Sequence, residues 1–126
     1  MNRDDLIWLA GLLEGEGTFD LHKGKYPRIR VSMTDRDVVG RAASLLGTGI
    51  RMSISTIGHK ATYHAELSGA RATAVMRDLL PYMGARRSSK IAEVLGKRAW
   101  LDGVAREGRL SIPGPALVRP PGFAAH

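Results

Sequence analysis

The sequence that decides the fold runs from Leu9 to Gly17 and reads LAGLLEGEG. Small residues at Ala10 and Gly11 allow another backbone to approach this segment closely. Glu14 and Glu16 place negative charge at the end of an apolar helix, where the helix dipole disfavours it. The glycines that alternate with these acids permit a sharp turn out of the helix. An acidic helix end of this kind predicts carboxylates that are kept for a cation.

The composition is that of a single globular domain in a reducing compartment. The chain has 126 residues, 44% of them hydrophobic and 25% charged, which is enough for one core. It contains no cysteine, so disulfides and thiolate zinc sites are excluded. Met1–Asp5 carries two acids, and no apolar run approaches the length of a membrane span. We therefore expect no secretory signal and no membrane partner.

Hydrophobic periodicity predicts the order helix, hairpin, helix, hairpin, helix, helix. The first helix should run from about Leu6 to Leu13 behind a cap at Asp4 or Asp5. It is apolar almost all round, so we expect it to be buried on several sides. Asp35 is a suitable N-cap for the second helix. The other predicted elements are strands at 18–22 and 28–34, a helix at 36–46, strands at 50–55 and 62–67, and helices at 70–80 and 86–101.

Two hairpins joined by helices indicate an α+β fold, with one four-stranded antiparallel sheet and helices on one face. Strand alternation turns apolar residues toward the helices, among them Ile50, Met52 and Ile54 of the third strand. The other face should be open and lined with Arg, Ser, Thr and His. We assign residues 1–112 to this domain and residues 113–126, which are rich in Gly and Pro, to a C-terminal tail.

Positive charge is concentrated in the two predicted hairpins. The chain carries a net charge of +7 and has a pI near 10.4. The segment from His22 to His64 holds eight basic and two acidic residues, a net +6 of that +7. A cationic, hydroxyl-rich sheet face suits the groove of a DNA duplex, where Arg and Lys contact phosphates and strand residues reach base edges. The alternative is an ordinary solvated sheet face.

The segment from Leu9 to Gly17 resembles the motif of the LAGLIDADG homing endonucleases. It departs from that motif by aliphatic or acid-for-acid exchanges and by Gly15 in place of Ala. The order of elements from about Asp4 to Leu101 also resembles the core unit of that family. The resemblance implies an αββαββα fold with a saddle-shaped sheet and two motif helices packed side by side. It also implies site-specific cleavage of double-stranded DNA with Mg²⁺ or another divalent cation such as Mn²⁺ or Ca²⁺.

The resemblance also implies roles for individual residues. Glu16 matches the acid that binds metal beside the scissile phosphate, as phosphodiester hydrolysis with metal ions requires. Asp35 matches a polar residue at the end of the second strand, although it is also a plain N-cap. Arg86 matches a basic residue that stabilises phosphate charge, although it also fits a solvated helix start. The predicted catalytic residues are therefore Glu16, Asp35 and Arg86.

The predicted DNA-contacting residues lie mainly on the open sheet face. The histidines of this region match no zinc-binding spacing, so they are interpreted as groove-facing or solvated. The predicted DNA contacts are His22, Lys23, Lys25, Arg28, Arg30, Ser32, Arg51, Ser53, Lys60, Thr62, His64, Arg87 and Lys90.

The chain has one complete motif, so we expect a homodimer through the first helix. The segment from Trp100 to Gly108 echoes the motif faintly, but the residues after it cannot supply a second pair of hairpins. A two-fold dimer favours a palindromic or near-palindromic DNA site. The predicted dimer interface consists of Leu6, Leu9, Ala10, Gly11, Leu13 and Glu14.

Two other functions stay open on sequence grounds. The same fold can serve as a cleavage-deficient nucleic-acid-binding protein, either a transcription regulator or an intron-splicing maturase. A basic protein-interaction domain is the third possibility. For the nuclease we expect a cytoplasmic protein of a bacterial or phage-infected cell, or of an organelle, encoded in or beside an intron, intein or phage mobile element.

Overall fold

A computed structural model of the protein describes residues 1–106, and it confirms the predicted order of elements. The predicted tail at 113–126 and the domain end at 112 lie outside the described residues. None of the helices within 1–106 has the length and apolar character needed to cross a membrane. The elements are α1 (Arg3–Glu16), β1 (Gly17–His22), β2 (Tyr26–Met33), α2 (Arg36–Leu46), β3 (Arg51–Ile54), β4 (Ala61–Ser68), α3 (Ala70–Leu79), a 3₁₀ turn (Leu80–Tyr82) and α4 (Ala85–Arg106).

The four strands form one antiparallel sheet with the order β1-β2-β4-β3. The first hairpin pairs Thr18 with Arg30. Ser32 of β2 and Arg51 of β3 both pair with His64, one from each side of β4. Three strands therefore meet around His64 in the middle of the sheet. The predicted α+β class and four-stranded sheet are confirmed.

The core lies between the sheet and its helices, as the strand alternation predicts. Phe19, Ile29 and Val31 are buried on one face of the first hairpin. Leu9 and Leu13 of α1 are completely buried against this layer, and burial of each such side chain is worth about 1.5–3 kcal/mol. The central position of α1 thus follows from its apolar sequence. Other core members are Val39, Ala42, Ala43, Leu46, Ala65, Leu67, Ala72, Met76, Leu79, Ile91 and Val94.

The first helix begins earlier and ends later than predicted. Asn2, rather than Asp4 or Asp5, is the N-cap, and its Oδ1 accepts a hydrogen bond from the backbone N–H of Asp5 at 2.7 Å. Two aspartates in the first turn then lie where the helix dipole favours negative charge. The helix continues through Glu16 because the chain passes directly into β1. Gly17 is extended (φ −86°, ψ 157°) and makes no left-handed turn.

The third strand is exposed on both faces, which corrects the predicted burial of its apolar residues. Met52 pairs with Tyr63, a residue packed against the core, so it does lie on the helix side of the sheet. Nevertheless Met52 is 53% and Ile54 is 60% exposed, and Ile50 is also exposed. Strand β3 is one of the two edge strands, and the helices that cover β2 and β4 do not cover it. Alternation predicts the face of a residue, but burial also needs a neighbouring element above it.

Candidate active site and nucleic-acid interface

Glu16 lies at the C-terminal end of α1 and opens onto a small polar cleft. Thr18, Arg30 and Ser32 form the rest of this cleft. The cleft is built by the first two strands, because Thr18 pairs with Arg30 in the sheet register. The Glu16 carboxylate is exposed and has no hydrogen bond or ion pair to any residue within 1–106. It is therefore free to bind a ligand beside a guanidinium group.

The donor chemistry of this cleft fits a hard divalent cation. Mg²⁺ prefers oxygen ligands and is usually held by one or two carboxylates together with substrate phosphates. Within the described part of the chain no group of three His, Cys, Asp or Glu side chains is positioned to hold a metal ion. Glu16 alone would thus supply one carboxylate, and the remaining ligands would come from phosphate, water or a second subunit.

A partly buried ion-pair cluster of Asp20, Arg28 and Arg30 fixes the position of Arg30 beside this cleft. Asp20 accepts hydrogen bonds from Arg28 Nε at 2.9 Å and from Arg28 Nη2 at 2.9 Å. It also accepts one from Arg30 Nη2 at 3.0 Å. Hydrogen bonding from Arg28 lowers the pKa of the Asp20 carboxyl, against the opposing effect of burial. Arg30 therefore reaches from this cluster to the cleft of Glu16, and its Nε is buried without a hydrogen-bond partner in the described residues.

Arg28 is occupied within the protomer, unlike the exposed bases of the sheet face. Its side chain is 16% exposed. Besides the two bonds to Asp20, its Nη1 lies 2.7 Å from His22 Nδ1. This arrangement explains why two of the predicted DNA contacts, Arg28 and His22, are partly buried. Their predicted contact with DNA stays a prediction, and their observed role is to order the strands of the first hairpin.

A histidine bridges two serines across three strands of the open sheet face. His64 Nδ1 lies 2.7 Å from Ser32 Oγ, and His64 Nε2 lies 2.8 Å from Ser53 Oγ. Both serines are exposed and the histidine is partly buried. Alternation places all three residues on this face, but the pairing of β2 and β3 with opposite sides of β4 is a property of the topology.

The predicted DNA-contacting residues include both exposed and partly buried side chains. Lys23, at the hairpin turn, has the positive φ of 55° that such turns use. The exposed members of the predicted set are Lys23, Lys25, Ser32, Arg51, Ser53, Lys60 and Lys90, and the partly buried ones are His22, Arg28, Arg30, Thr62, His64 and Arg87.

The start of α4 brings further positive charge beside the first cleft. Arg86, Arg87 and Lys90 line a second cleft together with Thr18 and Glu93. Thr18 borders both clefts, so Arg86 is a neighbour of the Glu16 site. Two of these bases are engaged within the protomer. Arg87 Nε donates to the Glu14 carbonyl at 3.0 Å, and Lys90 Nζ donates to Glu93 Oε2 at 2.9 Å.

Asp35 is not part of this arrangement. It is exposed at the N-cap of α2, borders neither of the two clefts, and makes no side-chain cap bond to the described residues. The structure therefore places Glu16 and Arg86 of the predicted catalytic set in two clefts that share Thr18, and leaves Asp35 apart. Thr18 and Asp20 were missed by the prediction. Their outward positions in β1 are readable from alternation, but their proximity to Glu16 and Arg30 depends on strand register.

The predicted dimer surface is corrected by the burial of α1. Leu9, Ala10 and Leu13 are 0–2% exposed in the protomer core, so their side chains are not available to a second subunit. Leu6 and Glu14 are partly buried, and Gly11 is exposed. The accessible positions at four-residue spacing on α1 are Arg3, Ile7, Gly11 and Gly15. The buried apolar residues of the motif thus serve the fold, while Gly11 and Gly15 lie on the surface.

This fold, with a motif helix that ends in an acid beside a polar cleft, defines the class of LAGLIDADG proteins. A family model described as a LAGLIDADG-like domain matches residues 4–80, and the chain belongs to this family. The resemblance predicted from the motif is confirmed. No curated protein matches the chain.

Two solved structures illustrate the shared fold. One is the group I intron-encoded homing endonuclease I-CeuI complexed with DNA, with a TM-score of 0.60 and 14% identity over 85% of this chain. This chain spans 59% of the length of that relative. The other is the homing endonuclease I-CvuI in complex with its target in the presence of Ca, with a TM-score of 0.50 and 18% identity over 94% of both chains. At these identities the likeness concerns the fold.

Proposed function

We propose that this protein is a site-specific double-stranded DNA endonuclease of the homing type, acting as a homodimer with a divalent cation. The observation that carries the proposal is the unengaged carboxylate of Glu16. It lies at the end of the family's motif helix, between a cationic sheet face and the basic start of α4. The fold does not require an unpaired acid in basic surroundings, so we assign the Glu16 carboxylate to ligand binding.

The residues of the cleft divide the work of phosphodiester hydrolysis. Glu16 would hold the divalent cation. A bound Mg²⁺ supplies Lewis-acid stabilisation of the phosphate oxygens. Arg30, held by Asp20 at 3.0 Å, and Arg86 stabilise the negative charge that grows on the phosphate in the transition state. The exposed lysines and arginines of the sheet face bind neighbouring phosphates and position the duplex.

The glycines of α1 support a dimer through this helix. A Cβ atom added at Gly11 or at Gly15 would meet no described atom within 4 Å, so the protomer does not require glycine at either position. Glycine inside a helix costs about 1 kcal/mol relative to alanine. A second copy of α1 packed closely along Ile7, Gly11 and Gly15 accounts for that cost. A two-fold axis there would bring two Glu16 side chains together and favour a near-palindromic site.

A cleavage-deficient DNA-binding protein is the second candidate function. The observation that favours it is the incomplete acidic site, because no group of three potential ligands exists within 1–106 and Asp35 lies outside the clefts. Such a protein would retain the cationic face and bind duplex DNA without hydrolysis.

Cleavage of the DNA that flanks this gene, joined without the inserted segment, tests the proposal. The wild-type protein with Mg²⁺ should give a specific linear product. Glu16→Gln should abolish the product and retain binding, because it removes the charge and keeps the shape. Asp78→Asn, which removes an exposed acid on α3, is the matched control and should cleave normally. Binding without cleavage in every divalent metal tried would instead establish the second candidate.

The dimer is tested separately by Gly11→Leu. The added side chain projects into open space in the protomer, so the variant should fold and have unchanged helix content. It should sediment as a monomer where the wild type sediments as a dimer. An unchanged dimer would place the interface elsewhere on the molecule.

A further inference from the structure

We propose that Ser32 and Ser53 recognise DNA as a coupled pair, through the tautomer of the histidine that joins them. The inference rests on the proposed function, since it concerns how the sheet face would read a duplex. It adds that two positions of the DNA site are read jointly, with a rule fixed by the imidazole ring.

The geometry leaves each ring nitrogen of His64 with one serine partner. Nδ1 is 2.7 Å from Ser32 Oγ and Nε2 is 2.8 Å from Ser53 Oγ. A neutral imidazole has one N–H donor and one acceptor nitrogen. The serine at the N–H must therefore accept, which leaves its own O–H and one lone pair free. The serine at the other nitrogen must donate to the ring, which leaves its lone pairs free.

The consequence is a fixed relation between the two hydroxyl groups. In either tautomer only one serine has a free O–H donor, and the other serine can only accept. A switch of tautomer exchanges the two roles together. Both serines are exposed on the face opposite the helices, so the free donor and the free acceptor are available to a ligand.

In the major groove this relation would impose a joint preference on two base pairs. A serine donor suits N7, O6 or O4 of a base, and a serine acceptor suits the amino group of adenine or cytosine. Ser32 and Ser53 lie on strands that flank β4, and adjacent strands are about 4.8 Å apart. Stacked bases are about 3.4 Å apart. The two serines therefore face base pairs within a few steps of each other.

The charged neighbours on the same face do not replace either bond. In the sheet register, Arg51 of β3 lies opposite His64. Arg30 of β2 lies opposite Glu66, which is two residues after His64 in β4. None of these three has a hydrogen bond to the ring of His64. The serine–histidine–serine chain is therefore the local hydrogen-bond network around the ring in the described structure.

Selection from duplexes of randomised sequence, with the full chain, provides the test. Affinities are next measured for the selected duplex, for each single exchange of a donor-bearing for an acceptor-bearing base at the two positions, and for both exchanges together. The combination that requires both serines to donate should bind about tenfold more weakly than the others, as one lost contact does. The other three combinations should bind within about threefold of one another, because the tautomer switches to suit them.

His64→Phe should remove the coupling while keeping a ring of similar size. Each serine hydroxyl then rotates freely, so each single exchange should cost less than about threefold. Ser32→Ala and Ser53→Ala should abolish the joint dependence separately, which keeps the test valid if His64→Phe does not fold. Ser44→Ala, an exposed serine on α2, is the matched control and should behave as wild type.

The outcomes distinguish this inference from the proposed function. Losses that multiply in the double exchange, or a joint dependence that persists in His64→Phe, would overturn the coupling and leave DNA recognition intact. Absence of any enriched sequence, with binding insensitive to salt, would overturn both, because phosphate contact requires salt dependence.

Discussion

Glu14 Oε1 accepts a hydrogen bond from the backbone N–H of Gly84 at 2.6 Å, which ties the last turn of α1 to the residue before α4. Arg87 adds a second hydrogen bond between these two elements, since its Nε donates to the Glu14 carbonyl at 3.0 Å. The positive charge that a helix C-terminus favours is thus supplied by α4 and not by α1 itself. These two hydrogen bonds fix the relative positions of Glu16 and the basic start of α4.

Glu14→Ala should destabilise the fold and impair cleavage more than binding. Loss of the carboxylate removes the hydrogen bond to the exposed Gly84 N–H and lowers the free energy of unfolding by about 0.5–1.5 kcal/mol. Glu14→Gln keeps an acceptor oxygen and should lose less. Urea denaturation of the two variants measures the difference, and cleavage rates at saturating DNA report the position of Arg86. Equal losses in both variants would contradict a role for the hydrogen bond.

Gly17→Ala and Gly15→Ala should have opposite effects on the stability of the protomer. A Cβ atom at Gly17 would lie 2.7 Å from the Leu13 carbonyl oxygen and 2.8 Å from Leu13 Cδ2. These contacts are too short, and relieving them must shift the end of α1, at a cost of about 1–3 kcal/mol.

At Gly15 the same atom meets nothing in the described structure, and alanine stabilises a helix by about 1 kcal/mol relative to glycine. Thermal unfolding under conditions that keep the protein monomeric compares the two variants. A stabilised Gly17→Ala would show that the close approach of Leu13 is not required.

The architecture was predictable because period and turn signals agree along most of the chain. The second helix, Arg36–Leu46, has the predicted bounds, and both hairpins occur where the alternation begins. The exact ends of the helices and the burial of the strands depend on contacts that no local sequence pattern shows. Asn2 caps α1 only because its side chain meets the N–H of Asp5. The exposure of Ile54 follows from the strand order, which leaves β3 without a helix above it.

The candidate site was predictable in its motif and not in its surroundings. The sequence predicts a ligand-binding role for Glu16, because the helix dipole disfavours a negative charge at the C-terminal end of a helix. The neighbours of Glu16 come from β2 and α4, so their identity depends on register and packing. Arg30 was predicted to contact DNA, but its link to Asp20 at 3.0 Å appears only when β1 and β2 are aligned.

Arg71→Ala should destabilise α2, although the substituted residue belongs to α3. Arg71 Nη2 donates to the Leu46 carbonyl at 2.8 Å, at the end of α2. The bond satisfies a terminal carbonyl and places positive charge at the negative end of the helix dipole, so its loss should cost about 1 kcal/mol. Arg51→Ala removes an exposed arginine of β3 that has no hydrogen bond or ion pair to the described residues, and it should change stability by less than about 0.5 kcal/mol. Equal urea midpoints for the two variants would contradict the capping role.

Asp20→Asn should destabilise the protein near neutral pH and lose this effect in acid. Bonding from Arg28 lowers the pKa of Asp20 in the folded state. A lowered folded pKa means that the carboxylate contributes stability above the ordinary aspartate pKa of about 3.9, and that the contribution disappears as pH falls through the lowered value. At neutral pH the substitution should lower the free energy of unfolding by about 1–2 kcal/mol, because it weakens charge-assisted bonds to two arginines.

Urea denaturation at a series of pH values from neutral into acid measures the gap between Asp20→Asn and wild type. The gap should stay constant down to about pH 5 and close at lower pH, since protonated Asp20 and the amide then present similar groups to Arg28. Asp78→Asn is the control and should show no comparable gap at neutral pH, because this exposed acid has no hydrogen bond or ion pair to the described residues. A gap for Asp20→Asn that persists unchanged in acid would mean that packing, and not the carboxylate charge, holds Arg28 and Arg30 on the sheet face.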